Sequence, residues 1–250
     1  MHSRKWKEFE KTIVFRKAKL LAKRLTGKEP WLSVETAINL QRYADWILCR
    51  DLTAGCSVVY SLGVGDNIDF DLAVVKELGA QVHAFDPTPK TSQWLSDKEL
   101  PKEFHFYPWA VAGRDGELVL YPRLKRDGTL SSTMFTLIAG DESVRDHAVR
   151  VPALTLQTIM ARLGHHTIDI LKMDIEGAEY DVLESMLATA IRPVQLLVEF
   201  HSGFPGIGRD KTIKSVRQLK SAGYTIADIS VTGREVLFVK MDCLENNLTS

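Results

Sequence analysis

Three acidic side chains follow a strongly apolar segment in the second half of the sequence. The run 168–173 is typical of a strand covered on both faces, and Asp174 follows it directly. Glu176 and Glu179 come next, on either side of Gly177, where the backbone must turn into a helix. Because ligands bind at the carboxyl ends of parallel strands in α/β enzymes, these carboxylates are predicted to lie in an active site. Capping of the helix amino terminus is the simpler alternative for any one of them.

A second pair of candidate groups lies at the end of the next apolar run, residues 194–200. Glu199 and His201 are two residues apart, so their side chains share one face of a strand. Histidine has an ordinary pKa of about 6.5 and can act as a general base toward a hydroxyl group. Asp174, Glu199 and His201 could alternatively hold one divalent cation, because carboxylates and imidazole suit Mg, Mn or Fe. Direct base catalysis and metal dependence both stay open, and the catalytic candidates are Asp174, Glu176, Glu199 and His201.

An earlier apolar run, residues 57–62, leads directly into a glycine loop. Gly63 and Gly65 form this loop, and a helical pattern follows it. Asp86 comes about twenty residues later, at the end of the next predicted strand, where a carboxylate can accept hydrogen bonds from ribose hydroxyls. Ile68 stands where a dinucleotide-binding motif would have its third glycine, so the pyrophosphate motif is incomplete. These features predict a cofactor with a ribose, and they favour S-adenosylmethionine over NAD.

The elements that must position these groups alternate between strands and helices from residue 57 onward, which is the pattern of a parallel sheet. The turn at Gly233 predicts an antiparallel pairing of the last two strands. An inserted hairpin or excursion is predicted over residues 116–132. The predicted strands are 57–62, 81–85, 104–108, 168–173, 194–200, 224–229 and 236–240, and the predicted helices are 70–78, 155–162 and 210–222.

The amino-terminal region is predicted to be a helical extension over residues 1–54. Residues 4–24 contain nine Lys or Arg and two Glu, with apolar side chains at helical spacing, which predicts a basic amphipathic helix. A second helix is predicted to begin at Ser33. The first helix could cover the main domain, or it could contact a membrane surface or a protein through residues 4–25. The main domain is predicted over residues 55–243, with a tail over 244–250.

Composition narrows the class of protein further. The chain has 250 residues, 45% of them hydrophobic, which is enough for a large core. Its formal net charge of zero gives no electrostatic reason to expect nucleic acid as a partner. Three cysteines without a CxxC spacing indicate a reducing compartment. No apolar run is long enough for a transmembrane helix, so we expect a cytoplasmic protein.

Four segments resemble the FkbM-type family of S-adenosylmethionine-dependent methyltransferases. They are SLGVGDN at 61–67, AFDPT at 84–88, WAVAG at 109–113 and LKMDIEGAE at 171–179. The resemblance covers roughly residues 57–240, and the last segment is its most distinctive part. It implies a class I, Rossmann-like α/β fold, with a seven-stranded, mostly parallel sheet whose last strand is antiparallel.

The same resemblance implies roles for residues around the cofactor. Gly63 and Gly65 would lie against the methionine part of S-adenosylmethionine, and Asp86 would bind the ribose. Many class I methyltransferases have an acidic residue where Ser61 stands, so Asp66 or backbone groups would take over recognition of the amino-carboxypropyl group. Trp109 and Ala110 would lie beside the adenine. The full set assigned to the cofactor is Ser61, Gly63, Gly65, Asp66, Asn67, Asp86, Pro87, Trp109, Ala110 and Asp174.

The resulting prediction is O-methylation of a hydroxyl group on a small molecule or a sugar. Two alternatives stay open. The first is an NAD-dependent oxidoreductase on the same class of sheet, which Ile68 disfavours. The second is a non-catalytic cofactor-binding or interaction protein that docks through the basic amino-terminal helix.

Overall fold

A computed structural model describes residues 12–124, 128–136, 142–204 and 206–248. In chain order its elements are α1 (Ile13–Leu25), β1 (Leu40–Tyr43), β2 (Trp46–Cys49), β3 (Val58–Leu62), α2 (Asp69–Leu78), β4 (Gln81–Phe85), α3 (Pro89–Ser96), β5 (Phe104–Tyr107), β6 (Ala110–Val111), β7 (Gly116–Leu124), β8 (Leu130–Thr136), β9 (Val149–Leu154), α4 (Leu156–Leu163), β10 (Ile170–Met173), α5 (Glu179–Ala188), β11 (Gln195–Glu199), α6 (Arg209–Ser221), β12 (Tyr224–Ile229), β13 (Glu235–Lys240) and α7 (Met241–Leu248). Short 3₁₀ turns at Arg50–Leu52 and Glu142–His147 complete the list.

The central sheet has seven strands in the order β5-β4-β3-β10-β11-β13-β12. Neighbouring strands are parallel from β5 to β11, whereas β13 is antiparallel to both β11 and β12. This arrangement confirms the predicted mostly parallel sheet with an antiparallel last strand. The strand order reverses between β3 and β10, and a ligand crevice is expected at such a switch point.

The inner strands read as continuous apolar runs because helices cover both faces of the sheet. Alternate residues enter two separate cores. Tyr60, Leu62 and Leu171 belong to one core, while Val59 and Ile170 belong to the other. The ends of β3 and β10 are therefore held rigidly, and the loops that leave them start from fixed positions.

The predicted excursion after β5 is larger than a hairpin. It is a separate sheet in the order β6-β9-β7-β8, in which β7 is antiparallel to both β8 and β9. Strands β6 and β9 were not among those predicted from the sequence. A small core of its own, which includes Leu120 and Val151, holds this sheet together.

The amino-terminal extension is only partly helical. Helix α1 agrees with the predicted basic helix over residues 13–25, and residues 1–11 of that prediction lie outside the described part of the chain. The second predicted helix is wrong, because β1 and β2 form an antiparallel hairpin there. The hairpin buries Leu48 and Cys49, and the buried amide of Gln195 bonds the backbone N–H of Cys49 at 2.7 Å and its C=O at 3.1 Å. These tertiary contacts outweigh the helical spacing of the apolar residues.

The carboxyl-terminal helix α7 runs across residue 243, where the sequence analysis ended the main domain. In the part of the chain that the structure describes, no helix is both long and apolar enough to cross a membrane.

Candidate active site

The glycine loop after β3 packs directly on the end of β10. Gly63 has a φ of +78°, and a Cβ atom on it would come within 1.7 Å of the carbonyl oxygen of Asp174. Gly65 has a φ of +58°, but a Cβ atom there would meet nothing within 4 Å. Gly63 is therefore required by the close approach of two backbones, whereas Gly65 faces open space.

That open space is a cavity of about 310 Å³ at the switch point of the sheet. Leu118, Leu120 and Phe135 form its apolar wall, and all three come from the second sheet. Cavities of this size hold small ligands, with an apolar wall and a few polar groups that fix orientation. It is also lined by most residues that the sequence analysis assigned to the cofactor, namely Gly63, Gly65, Asp66, Asn67, Asp86, Pro87, Ala110 and Asp174, and by Glu176.

Asp86 has a structural task that its spacing did not predict. One carboxylate oxygen accepts the backbone N–H groups of Val64 and Gly65 at 3.1 and 2.8 Å. The other accepts the N–H and hydroxyl of Thr88 at 2.9 and 2.6 Å. The hydroxyl of Thr91 donates to the carbonyl of Gly65 at 2.9 Å. Asp86, Thr88 and Thr91 thus hold the glycine loop, and the ribose contact of Asp86 stays a prediction.

Two residues assigned to the cofactor lie elsewhere than on the lining of this cavity. Ser61 is fully buried beneath the loop, on the face of β3 that packs against α2. Trp109 stacks near Tyr107 with ring centroids 4.9 Å apart, and the guanidinium of Arg162 lies over its ring. Of the two residues predicted to lie beside the adenine, Trp109 and Ala110, only Ala110 lines the cavity.

The four catalytic candidates come together around the imidazole of His201. Its Nε2 faces three carboxylate oxygens at 3.7 to 3.8 Å, which belong to Asp174, Glu176 and Glu199. The His201 side chain is only 2% exposed. The carboxyl ends of two adjacent strands, β10 and β11, thus converge as the sequence analysis predicted.

A fourth carboxylate, Glu179, fixes the orientation of this imidazole. One of its oxygens accepts the backbone N–H of His201 at 2.8 Å and lies 3.3 Å from Nδ1. Its other oxygen accepts the N–H of Gly177 at 2.8 Å. A proton on Nδ1 then points at Glu179, which leaves Nε2 to face the cluster. From the sequence, Glu179 is only one of three acidic residues after the strand, and its contact with His201 is not predicted.

Charge and burial pull the pKa values of this cluster in different directions. Burial alone would lower the pKa of His201, but the hydrogen bond and charge of Glu179, with the charges of Glu176 and Glu199, raise it. Burial, and then the charge of Asp174, raises the pKa of Glu199 to about 7 despite Arg234. Nη1 of Arg234 lies 2.8 Å from Glu199. The cluster therefore contains a carboxyl group, that of Glu199, which exchanges its proton near neutral pH.

The same cluster contains a possible cation site. One ligand atom each from Asp174, Glu199 and His201 lies within 4.8 Å of the other two. Within the described residues, no other trio of His, Cys, Asp or Glu side chains converges in this way. Carboxylate oxygens with one imidazole nitrogen suit a divalent cation such as Mg²⁺ or Mn²⁺.

A second cavity, of about 670 Å³, lies on the other side of the glycine loop. Trp46 of the hairpin, Lys172 of β10 and Glu199 of β11 line it, together with Ile13 and Arg16 of α1. It shares four lining residues with the first cavity: Gly63, Val64, Asn67 and Asp174. The two cavities therefore meet at Asp174, beside the carboxylates that surround His201.

Known proteins with similar sequences carry methyltransferase names. The probable methyltransferase-like protein 24 of Homo sapiens is 28% identical over 192 residues, which cover 74% of this chain and 42% of that protein. The protein of the same name from Rattus norvegicus is 27% identical over 172 residues, covering 64% and 39%. The chain thus spans about two fifths of the length of these curated relatives.

Solved structures give weaker similarity. Methyltransferase FkbM from Methylobacillus flagellatus KT has a TM-score of 0.47 at 10% identity, covering 74% of this chain and 43% of that one. An O-methyltransferase family protein from Burkholderia thailandensis has a TM-score of 0.38 at 12% identity, covering 75% and 51%. The family model described as the methyltransferase FkbM domain matches residues 32–226, well over half of the chain. This chain is therefore a member of the FkbM family of methyltransferases.

Proposed function

We propose that the protein transfers the methyl group of S-adenosylmethionine to a hydroxyl group of a small molecule or a sugar. The observation that carries this proposal is the meeting of two cavities at Asp174, beside the carboxylates that surround His201. A cofactor in one cavity and an acceptor in the other would face each other at that junction. Membership in a methyltransferase family also favours this reaction over the NAD-dependent alternative.

The smaller cavity fits S-adenosylmethionine in size and in chemistry. Ala110, Leu118 and Phe135 offer an apolar wall suited to an adenine ring, and Asp66 and Asn67 offer polar groups at the glycine loop. When bound, S-adenosylmethionine supplies a methyl group that is activated toward nucleophiles by the adjacent sulfonium charge. The loop residues would orient that methyl group toward the larger cavity, because Gly63 and Asp174 line both.

Nε2 of His201 is our candidate for the proton acceptor. A hydroxyl oxygen must lose its proton as it attacks a methyl group, and a positioned base supplies part of the rate enhancement. Glu179 holds Nδ1, so Nε2 carries the lone pair on the side of Asp174 and Glu199. Trp46 and the carboxylates of the larger cavity suit an acceptor with several hydroxyl groups, since they combine an apolar ring with hydrogen-bond acceptors.

A divalent cation is the second candidate for this step, favoured by the proximity of Asp174, Glu199 and His201. These three side chains would hold the cation, and the acceptor hydroxyl would be made more acidic by it. Exhaustive dialysis against a chelator separates the two mechanisms. Methyl transfer that disappears and returns with Mg²⁺ or Mn²⁺ assigns the cluster to a cation, whereas unchanged transfer assigns the step to His201.

Calorimetric titration with S-adenosylmethionine, and separately with NAD, tests the cofactor. We expect binding of S-adenosylmethionine only. Asp86→Asn should weaken it at least tenfold, because an amide cannot accept all the hydrogen bonds that hold the loop. Asp69→Asn is the matched control, since Asp69 is an exposed carboxylate in the first turn of α2. Tighter binding of NAD would overturn the proposal.

Transfer of a labelled methyl group to a panel of sugars and phenols tests the reaction itself. We expect His201→Gln to keep its affinity for S-adenosylmethionine and to lose transfer by about 10²-fold or more. Equal losses of binding and transfer would instead assign His201 to the cofactor site.

A further inference from the structure

Three buried polar side chains lie beneath the glycine loop, on the side of the sheet that faces α2. Lys172 of β10 and Ser61 of β3 are register partners in the parallel pairing of these strands. Asp71 of α2 packs against the same face. The three residues are 6%, 0% and 1% exposed, in that order. The proposed methyl transfer makes no use of them.

The ammonium group of Lys172 connects these buried side chains to the loop. Its Nζ donates a hydrogen bond to the carbonyl oxygen of Gly63 at 3.0 Å and lies 5.3 Å from the centre of the Trp46 ring. Both Gly63 and Trp46 line the larger cavity, as does Lys172 itself. Lys172 thus connects the glycine loop with Trp46 in the wall of the larger cavity, where the acceptor is proposed to bind.

The surroundings of Lys172 are unusual for a protein interior. The hydroxyl oxygen of Ser61 and one carboxylate oxygen of Asp71 are buried without a hydrogen-bond partner among the described residues. Burial raises the pKa of Asp71, and the charge of Lys172 opposes that rise. A buried ammonium group and a buried carboxyl group stabilise each other's charge, so removal of one leaves the other unbalanced.

The position of Gly63 explains why the loop needs such a contact. Gly63 lies between the two cavities and has no side chain to anchor it. Its N–H donates to the carbonyl of Phe85 at 2.9 Å, and its carbonyl oxygen accepts from Lys172. The two hydrogen bonds together fix both polar groups of this residue, from the strands on either side of β3.

We propose that Lys172 is a positioning residue that holds the carbonyl of Gly63, and with it the glycine loop, in the geometry required for cofactor binding. The buried carboxyl group of Asp71 balances the charge of that ammonium group from the side of α2. This inference rests on the proposed function, because it takes S-adenosylmethionine as the ligand of the loop.

Two single variants and one double variant separate positioning from general stability. Lys172→Met keeps the length of the side chain but removes the hydrogen bond to Gly63 and leaves Asp71 unbalanced. Asp71→Asn removes the opposite charge, and Lys172→Met/Asp71→Asn removes both. Lys211→Met is the matched control, because Lys211 also contacts an aromatic ring and a carboxylate, on α6 and away from the loop.

Three measurements are made on each full-length protein: the free energy of unfolding in urea, calorimetric affinity for S-adenosylmethionine, and hydrogen exchange of the Val64 and Gly65 amides without ligand. We expect Lys172→Met to be less stable, to bind at least tenfold more weakly and to exchange these amides at least tenfold faster. In the double variant, stability should recover toward wild type, while affinity and exchange should stay impaired. Lys211→Met should match wild type in affinity and exchange.

A merely structural role predicts a different pattern. Affinity and exchange would then recover together with stability in the double variant, and that result would overturn the proposal. So would wild-type affinity in Lys172→Met. If the wild-type protein itself does not bind S-adenosylmethionine, the proposed function fails, whereas the ligand-free exchange rates still decide whether Lys172 holds the loop.

Discussion

His201 is a buried imidazole with carboxylates on both sides of its ring. Glu179 binds its Nδ1 side, and three further carboxylates face its Nε2 side at distances too long for hydrogen bonds. Burial lowers the pKa of His201, but the charges of Glu179, Glu176 and Glu199 stabilise the protonated ring and raise the pKa above its ordinary value. The residue can accept a proton only after it has lost the one on Nε2.

A pH profile of methyl transfer follows from this environment. The pKa of His201 is above its ordinary value and that of Glu199 is about 7, so both groups hold protons in mildly acidic solution. The rate under single-turnover conditions should therefore rise with pH through neutrality and level off above it. Glu179→Gln removes the negative charge beside Nδ1 and replaces one of the two acceptor oxygens with an NH2 group, so its profile should shift toward lower pH with a plateau about tenfold lower.

The measurement is the rate from pH 5.5 to pH 9, with thermal denaturation of each protein as a check on folding. His147→Gln, a change at an exposed histidine, should reproduce the wild-type profile. A wild-type rate that does not change over this range would contradict the assignment of the proton acceptor.

Some residues of the site could be predicted, because their position depends only on where a strand ends. Asp174 and Glu199 stand at the ends of apolar runs that are typical of buried strands, and parallel strands bring such ends to one edge of a sheet. The partners of these residues could not be predicted in the same way. Glu179, Asp71 and Thr91 act through contacts that depend on where a helix packs, and sequence spacing does not give that distance.

At the scale of elements, the strands of the central sheet were predictable, whereas the β1–β2 hairpin and the second sheet were not. The strands of the sheet are long apolar runs with turn residues between them, so their period and length identify them. The hairpin of β1 and β2 has apolar residues that fit a helical stripe equally well. Its strand pairing is stabilised by Gln195, a residue almost 150 positions away, as its buried amide shows.

The contact between the β3 loop and the end of β10 gives a second prediction. Gly63→Ala would force a methyl group into the carbonyl of Asp174 at a backbone angle that alanine disfavours. We expect a loss of about 3 kcal/mol or more in the free energy of unfolding, together with loss of cofactor binding. Gly65→Ala has the same backbone cost but open space around the methyl group, so it should lose only about 1 kcal/mol.

Urea denaturation of the two variants, with calorimetry on each, checks this pair. Because both are Gly→Ala changes in one loop, the difference between them isolates the close approach of the two strand ends. Equal losses would mean that β3 and β10 do not approach as closely as described.

At the scale of the whole molecule, the two cavities depend on different parts of the chain. The smaller cavity is lined only by residues from Gly63 onward, whereas the larger one includes Ile13, Arg16 and the hairpin. The amino-terminal region therefore contributes to the cavity in which the acceptor is proposed to bind. Helix α1 has no buried residue, and Ile13, Val14 and Leu25 are 60%, 73% and 72% exposed.

Deletion of residues 1–28 tests this division of the molecule. The contacts of α1 include that of Leu20 with Gly233 and the ion pair of Lys23 with Glu29. Glu29 is buried and keeps the hydrogen bond from Ser202, so the fold should survive with a loss of up to about 4 kcal/mol. Affinity for S-adenosylmethionine should stay within twofold, whereas KM for the acceptor should rise about tenfold, because one wall of its cavity is gone. Arg16→Ser in the full chain should reproduce part of the rise in KM.

Cosedimentation of the wild-type and deletion proteins with vesicles of anionic lipid tests the predicted membrane contact of residues 4–25. Lipid binding that is lost on deletion, with KM unchanged, would assign α1 to docking and remove it from the proposed acceptor site.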